Sequence, residues 1–125
     1  MSEQYLDPFA QFLGIDITFE SFEKSIAELS IQPQHLNVLG TVHGAVIFAI
    51  ADASFARACN AGEDLFIGMQ TEIRYMGQVK GKRLIATAKL IGGSKKLAHY
   101  QVEISDELGS NVAFFTATAF KLEKR

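Results

Sequence analysis

Residues Val42 to Ala56, within 37-NVLGTVHGAVIFAIADASFA-56, are almost all small or apolar, yet one carboxylate, Asp52, stands in their middle. The run is too short for a membrane span, which needs roughly 20 apolar residues. It predicts a core helix over about residues 42–58, with Thr41 as N-cap. A helix without a polar face is normally covered on every side, so something has to wrap this one. An acid at mid-helix neither caps nor gains from the helix dipole, and a buried carboxylate without a partner is costly or takes up a proton.

The rest of the chain can do the wrapping. Four strand-like segments follow, at 66–76, 82–92, 96–105 and 111–121, separated by turn signals at Gly77, Gly81, Gly92-Gly93 and Glu107-Leu108-Gly109. Ile73 and Tyr75 alternate with Glu72 and Arg74, and Tyr100, Val102 and Ile104 alternate with Gln101 and Glu103. The short connections predict antiparallel neighbours. VAFFTATAF in the last segment is apolar on both faces, as in a central strand or one covered by another subunit.

Upstream, Asp7-Pro8 and the stop at Gly14 bound a short helix. Residues 24–31 alternate as a strand, which residues 15–20 are read as extending. Pro33 then breaks the chain, and QPQHLNVLG is turn-rich up to Gly40. Residues 1–125 thus form a single α+β domain, with a long buried helix wrapped by an antiparallel β-sheet.

Composition removes several functions. The formal net charge is −2 with scattered basic residues, so no electrostatic footprint for nucleic acid exists. The N-terminus carries acids where a signal peptide needs a basic flank, so a cytoplasmic protein is expected, with no membrane association. Cys59 is the only cysteine; it is read as a buried structural thiol. His35, His43 and His99 lack metal-ligand spacing, and neither a G-x-S-x-G elbow nor a phosphate loop is present. No metal is expected.

The remaining candidates lie in the helix. Gly44, at its N-terminus, lets a ligand oxygen approach a free backbone N–H, the donor that a developing oxyanion needs. His43 and Asp52 are nine residues apart, about 13–14 Å of helical rise, and point to opposite sides. One site using both requires two subunits related by a two-fold axis. Taken singly, Asp52 also fits a paired structural acid, His43 a neutral helix-start residue and Asn37 a turn residue.

Their joint spacing is more specific. Asn37, His43-Gly44 six residues on, and an acid nine residues beyond on a buried helix resemble the hot-dog-fold acyl-CoA thioesterases of the phenylacetic-acid-degradation type. The likeness covers roughly residues 30–121, including 71-TEIRYMGQVKGKRLIATAKL-90. It implies that Asp52 is nucleophile or general base and that the Gly44 amide polarises the thioester carbonyl. It implies further that His43 contacts the thioester or leaving thiolate and Asn37 holds the carbonyl or the lytic water. The implied assembly is a homodimer or homotetramer, with acyl-CoA as substrate and no cofactor beyond its coenzyme A. Lys95 and Lys96 would contact the phosphates of coenzyme A, although paired lysines in a turn are usually just solvated.

Two positions depart from the family's pattern. Ala45 stands where a second glycine is usual. Gly68 stands where a serine or threonine often begins the strand after the helix, and strict alternation puts the nearest hydroxyl, Thr71, on the opposite face. Hot-dog hydratases or dehydratases, and a binding module for acyl-CoA without turnover, are the alternatives.

Overall fold

A computed structural model describes residues 7–123. Asp7 caps α1 (Pro8–Leu13) by accepting from the Phe9 and Ala10 N–H groups, and Gly14 ends it at φ 87°, a left-handed conformation that suits glycine. Two strands follow, β1 (Asp16–Glu20) and β2 (Lys24–Ser30). Residues 15–20 therefore do not extend the next strand. The polar Ser21–Lys24 turn, closed by reciprocal backbone bonds of 2.7 and 3.2 Å, folds β1 back antiparallel on β2.

The long helix is α2 (Gly44–Cys59), and β3 (Phe66–Tyr75), β4 (Arg83–Gly93), β5 (Leu97–Asp106) and β6 (Asn111–Lys121) complete the chain. The strands form one antiparallel sheet in the order β1-β2-β4-β5-β6-β3. Apolar on both faces, β6 lies inside the sheet.

The expectation that β3 neighbours β4 is corrected: β3 pairs with β6 at the far edge. Crossing three strand spacings needs about 14 Å, and the seven residues 76–82 can reach further than that. The crossing is fixed at both ends. The Met76 and Gly77 N–H groups both donate to the Val112 carbonyl, and a Cβ at Gly77 would sit 2.6 Å from the Asn111 carbonyl oxygen. Asp106 then accepts from the Lys80 and Gly81 N–H groups.

The core lies between α2 and the sheet. Alanines at 27, 86, 88, 98, 113, 117 and 119 carpet the inner face, so the helix approaches closely and Ser54 Oγ donates to the Ser25 and Ala86 carbonyls. Phe55, Tyr100 and Phe115 fill the wider space, packed tilted or edge to face. The expectation that α2 is covered on every side is not met within this one chain. Val46, Ile47, Ile50, Ala51 and Phe55 are buried, while Ala45 is exposed and Ala49, Asp52 and Ala56 are half-buried.

Candidate functional site

The helix starts later than its composition predicts, and His43, not Thr41, is the N-cap. Asn37 explains this. Its Oδ1 accepts from the Leu39 N–H, the Thr41 N–H and Thr41 Oγ1 at 3.0, 3.2 and 3.1 Å, which pins Thr41 in the preceding loop. A bridge between Leu36 and Val42 holds residue 42 extended. The His43 N–H donates to the His35 carbonyl at 2.8 Å, and His35 itself is a buried anchor, bonded to the Gln32 N–H and the Leu13 carbonyl.

His43 caps with its ring: Nδ1 accepts from the Ala45 N–H at 2.9 Å. In the neutral imidazole that acceptor role leaves the proton on Nε2, which faces away as a donor. The Gly44 N–H, first in the helix, has no acceptor among the described residues. The Asn37 amide Nδ2 has no hydrogen-bond acceptor among the described residues. The Gly44 N–H stands at the positive end of α2.

Asp52 lies on the open face of α2, in line with Ala45, Ala49 and Ala56 at helical spacing. Among the described residues no salt bridge or hydrogen bond engages its carboxylate. Desolvation first, and the negative charge of Asp7 second, raise its carboxyl above the ordinary carboxylate value. Two clefts meet at this side chain. One, of about 540 Å³, runs between Phe9, Ala45, Phe48, Ala49 and Tyr75. The other, of about 490 Å³, lies between α2 and β3 and is lined by Phe48, Phe55, Gly68, Met69 and Thr71.

The expected opposition of Gly68 and Thr71 is corrected by a β-bulge. Gly68 pairs with Ala119 and Gln70 with Thr118, so Met69 is the extra residue and Thr71 pairs with Ala117. Both partner alanines are buried on the inner face, which puts Thr71 on the same side as Gly68. A Cβ at Gly68 would meet Phe55 Cε2 at 3.1 Å, so the Phe55 ring occupies the room that a side chain there would need. Lys95 and Lys96 are exposed in the β4–β5 turn and line neither cleft at Asp52. Cys59 is buried, its thiol pushed up to about 12 chiefly by desolvation, which makes it inert.

Sequence alone leaves three neighbours of Asp52 unmarked. Asp7, which acts on its charge, and Phe9 line a cleft with it from the α1 side, and Tyr75 lines the same cleft from the end of β3. The alternation around Ile73 and Tyr75 identifies their face of the strand, but only the tertiary register brings Tyr75 over Gly44.

Comparison with known proteins bears on this arrangement. The family model described as thioesterase superfamily matches residues 39–120. The Escherichia coli acyl-coenzyme A thioesterase PaaI is 28% identical over 117 residues, 93% of this chain and 84% of that one. An Archaeoglobus fulgidus protein, provisionally named an esterase, is 30% identical over 98 residues, and this chain spans 78% of its own length but only 64% of that relative. Among solved structures, a variant of the phenylacetic acid degradation protein PaaI from Thermus thermophilus superposes with a TM-score of 0.86 at 31% identity, covering 93% of this chain and all of the other.

Proposed function

Because the chain belongs to the thioesterase superfamily, with the hot-dog fold of its PaaI type, we propose that it hydrolyses acyl-CoA thioesters to the free acid and CoA. The observation that carries the mechanism is the unpaired Asp52 carboxylate where two clefts meet. As general base it takes a proton from water as the water oxygen bonds to the thioester carbon; as nucleophile its own oxygen forms that bond, and water later cleaves the anhydride. In either course the carbonyl oxygen becomes an oxyanion that the Gly44 N–H stabilises. The C–S bond then breaks, and the thiolate leaves with the His43 Nε2–H donating a hydrogen bond to it; its proton is the one that Asp52 took from water in the first course, or one released by the water that cleaves the anhydride in the second. Asn37 Nδ2 would hold the carbonyl or the water. Thr71 would supply the hydroxyl that Gly68 lacks.

Gly44 and Asp52 are eight residues apart on one helix, about 12 Å, too far to act on one carbonyl. The reaction therefore uses Asp52 of one subunit with His43 and Gly44 of a second. The β3 edge supports this, because an unpaired edge strand, with Ile67 and Met69 exposed, is a template for a second copy. A homodimer is then the smallest active unit and a homotetramer a pair of these. Lys95 and Lys96 are candidates for coenzyme A phosphates, no cofactor takes part, and a CoA ester substrate fits a reaction in the cytoplasm. Among the described residues no helix is long and apolar enough to cross a membrane.

A second reading, an acyl-CoA-binding module without turnover, is favoured by one observation: Phe55 fills the space beside Gly68. Thiol release over a panel of aromatic and C2–C16 acyl-CoAs, for the parent and Asp52→Asn side by side, decides between them. Removal of a general base costs about 10²–10⁴-fold, so turnover in the parent and its loss in the variant are expected. Stoichiometric binding without thiol release by the parent selects the module.

A further inference from the structure

We propose that Tyr75 is a positioning residue for the donors at the start of α2 and, through its ring, a wall of the acyl cleft; the inference rests on the thioesterase reading above. Tyr75 ends β3, opposite Ala113, and the next two N–H groups, of Met76 and Gly77, are both tied to the Val112 carbonyl. Its backbone is therefore fixed. From there the side chain crosses to the helix, and Tyr75 Oη donates to the Gly44 carbonyl at 3.0 Å.

That carbonyl belongs to the peptide unit whose N–H is Ala45's, and the Ala45 N–H donates to His43 Nδ1 at 2.9 Å. A hydrogen-bonded chain thus runs from the Tyr75 hydroxyl through one peptide group to the His43 ring. Bonds in such a chain polarise one another. A stronger Ala45 donor favours the acceptor role of Nδ1, and so the tautomer with its proton on the outward Nε2. The same hydroxyl clamps the peptide immediately after the Gly44 N–H. An oxyanion donor works by being preorganised, and this clamp adds a tie from the sheet to a first turn otherwise held by the His43 ring and by the Val46 and Ile47 N–H bonds to the His43 carbonyl.

The ring has a second task. A Cβ at Gly44 would lie 3.5 Å from Tyr75 Cζ, so the ring covers the helix start at van der Waals distance. Tyr75 is nevertheless 52% exposed, and it lines the cleft that runs past Ala45, Phe48 and Ala49 to Asp52. A bound acyl group in that cleft would touch this ring.

Tyr75→Phe keeps the ring and deletes only the hydroxyl; Tyr75→Ala deletes both. Loss of one hydrogen bond predicts that Tyr75→Phe lowers kcat roughly fivefold with KM unchanged, whereas Tyr75→Ala also raises KM. An activity-independent readout is amide hydrogen exchange at Ala45 by NMR, expected to quicken in both variants while the amides of β4 and β5 are unaffected. A residue that merely supports the fold would shift exchange across the sheet and leave the split between kcat and KM unmoved. Unchanged Ala45 exchange in Tyr75→Phe overturns the proposal, and so does faster exchange with kcat equal to the parent's. Failure of the parent to release thiol refutes the thioesterase reading instead, and is seen before any variant is made.

Discussion

Replacing Gly44 by proline isolates the oxyanion donor. Proline has no N–H, and the first helical position is where this loss is tolerated, because that N–H has no intrahelical acceptor. The residue before a proline must be extended, and His43 already is, at φ −62° and ψ 135°. A Cβ at position 44 meets only the Tyr75 ring at 3.5 Å, an ordinary contact. Folding is therefore expected to survive, with a gain of about 0.4–1 kcal/mol from the stiffer unfolded chain. Removing one oxyanion donor costs about 2.7–4 kcal/mol in the transition state, or about 10²–10³ in kcat. Gly44→Ala is the control, since it adds the same Cβ and keeps the N–H. The assay is thiol release from the best acyl-CoA, with the thermal midpoint and the assembly size measured on the same samples. Gly44→Pro turning over at more than about a tenth of the parent rate, while folded and assembled, would refute the role of this amide.

Three further outcomes follow from other residues. Mixing Asp52→Asn with Gly44→Pro under subunit exchange restores about a quarter of parental activity, since half the dimers are mixed and each holds one intact site of two; thiol release that stays at the level of the separate variants would place the site within one chain. As the proposed base or nucleophile Asp52 would have to be ionised, and Asp7 helps to hold its carboxyl up. Asp7→Asn, which still caps α1, should therefore move the acidic limb of the kcat/KM profile to lower pH, and an unmoved limb counts against Asp52 as the titrating group. Asp106 is nearly inaccessible, which opposes its charge. Four backbone donors, the N–H groups of Lys80, Gly81, Leu108 and Ser110, outweigh that burial and hold its carboxyl well below the usual range. Its stabilisation is complete above the unfolded value of about 3.9 and is lost as pH falls through the lower folded value. Urea midpoints of the parent should accordingly drop below about pH 4, and Asp106→Asn, whose amide turns an NH₂ toward N–H donors, should be destabilised at neutral pH with that drop reduced.

Most of the fold was legible because period-two alternation and turn residues are local signals that mark strands and their ends. The last four strands start and end within one residue of the positions they suggest. What escaped was decided by contacts distant in sequence. Thr41 has the chemistry of an N-cap, but Asn37 holds it in the loop before the helix, which starts only at Gly44. The bulge at Met69 breaks the alternation on which the facing of Thr71 was reckoned. The β3–β4 connection is long enough for either neighbour, so only its anchors at Val112 and Asp106 settle the order. Asp52 was legible as an anomaly, a lone acid in an apolar helix, whereas Tyr75 carried no anomaly at all.

Two unmet demands of the single chain adjoin each other. The alanine stripe around Asp52 leaves one side of α2 open, and β3 leaves one sheet edge unpaired. They are physically continuous, because the same cleft is walled by α2 at Phe48, Asp52 and Phe55 and by β3 at Gly68, Met69 and Thr71. One associating surface can therefore satisfy both, pairing the edge and covering the stripe in a single event. Had the open helix face and the free edge lain on opposite sides, two different partners would be needed and no shared site would result. On the proposed two-subunit site, their adjacency explains how an acid that is costly in an isolated chain is kept: a partner's helix start, with its partial positive charge and Gly44 N–H, would meet the carboxylate as the interface closes.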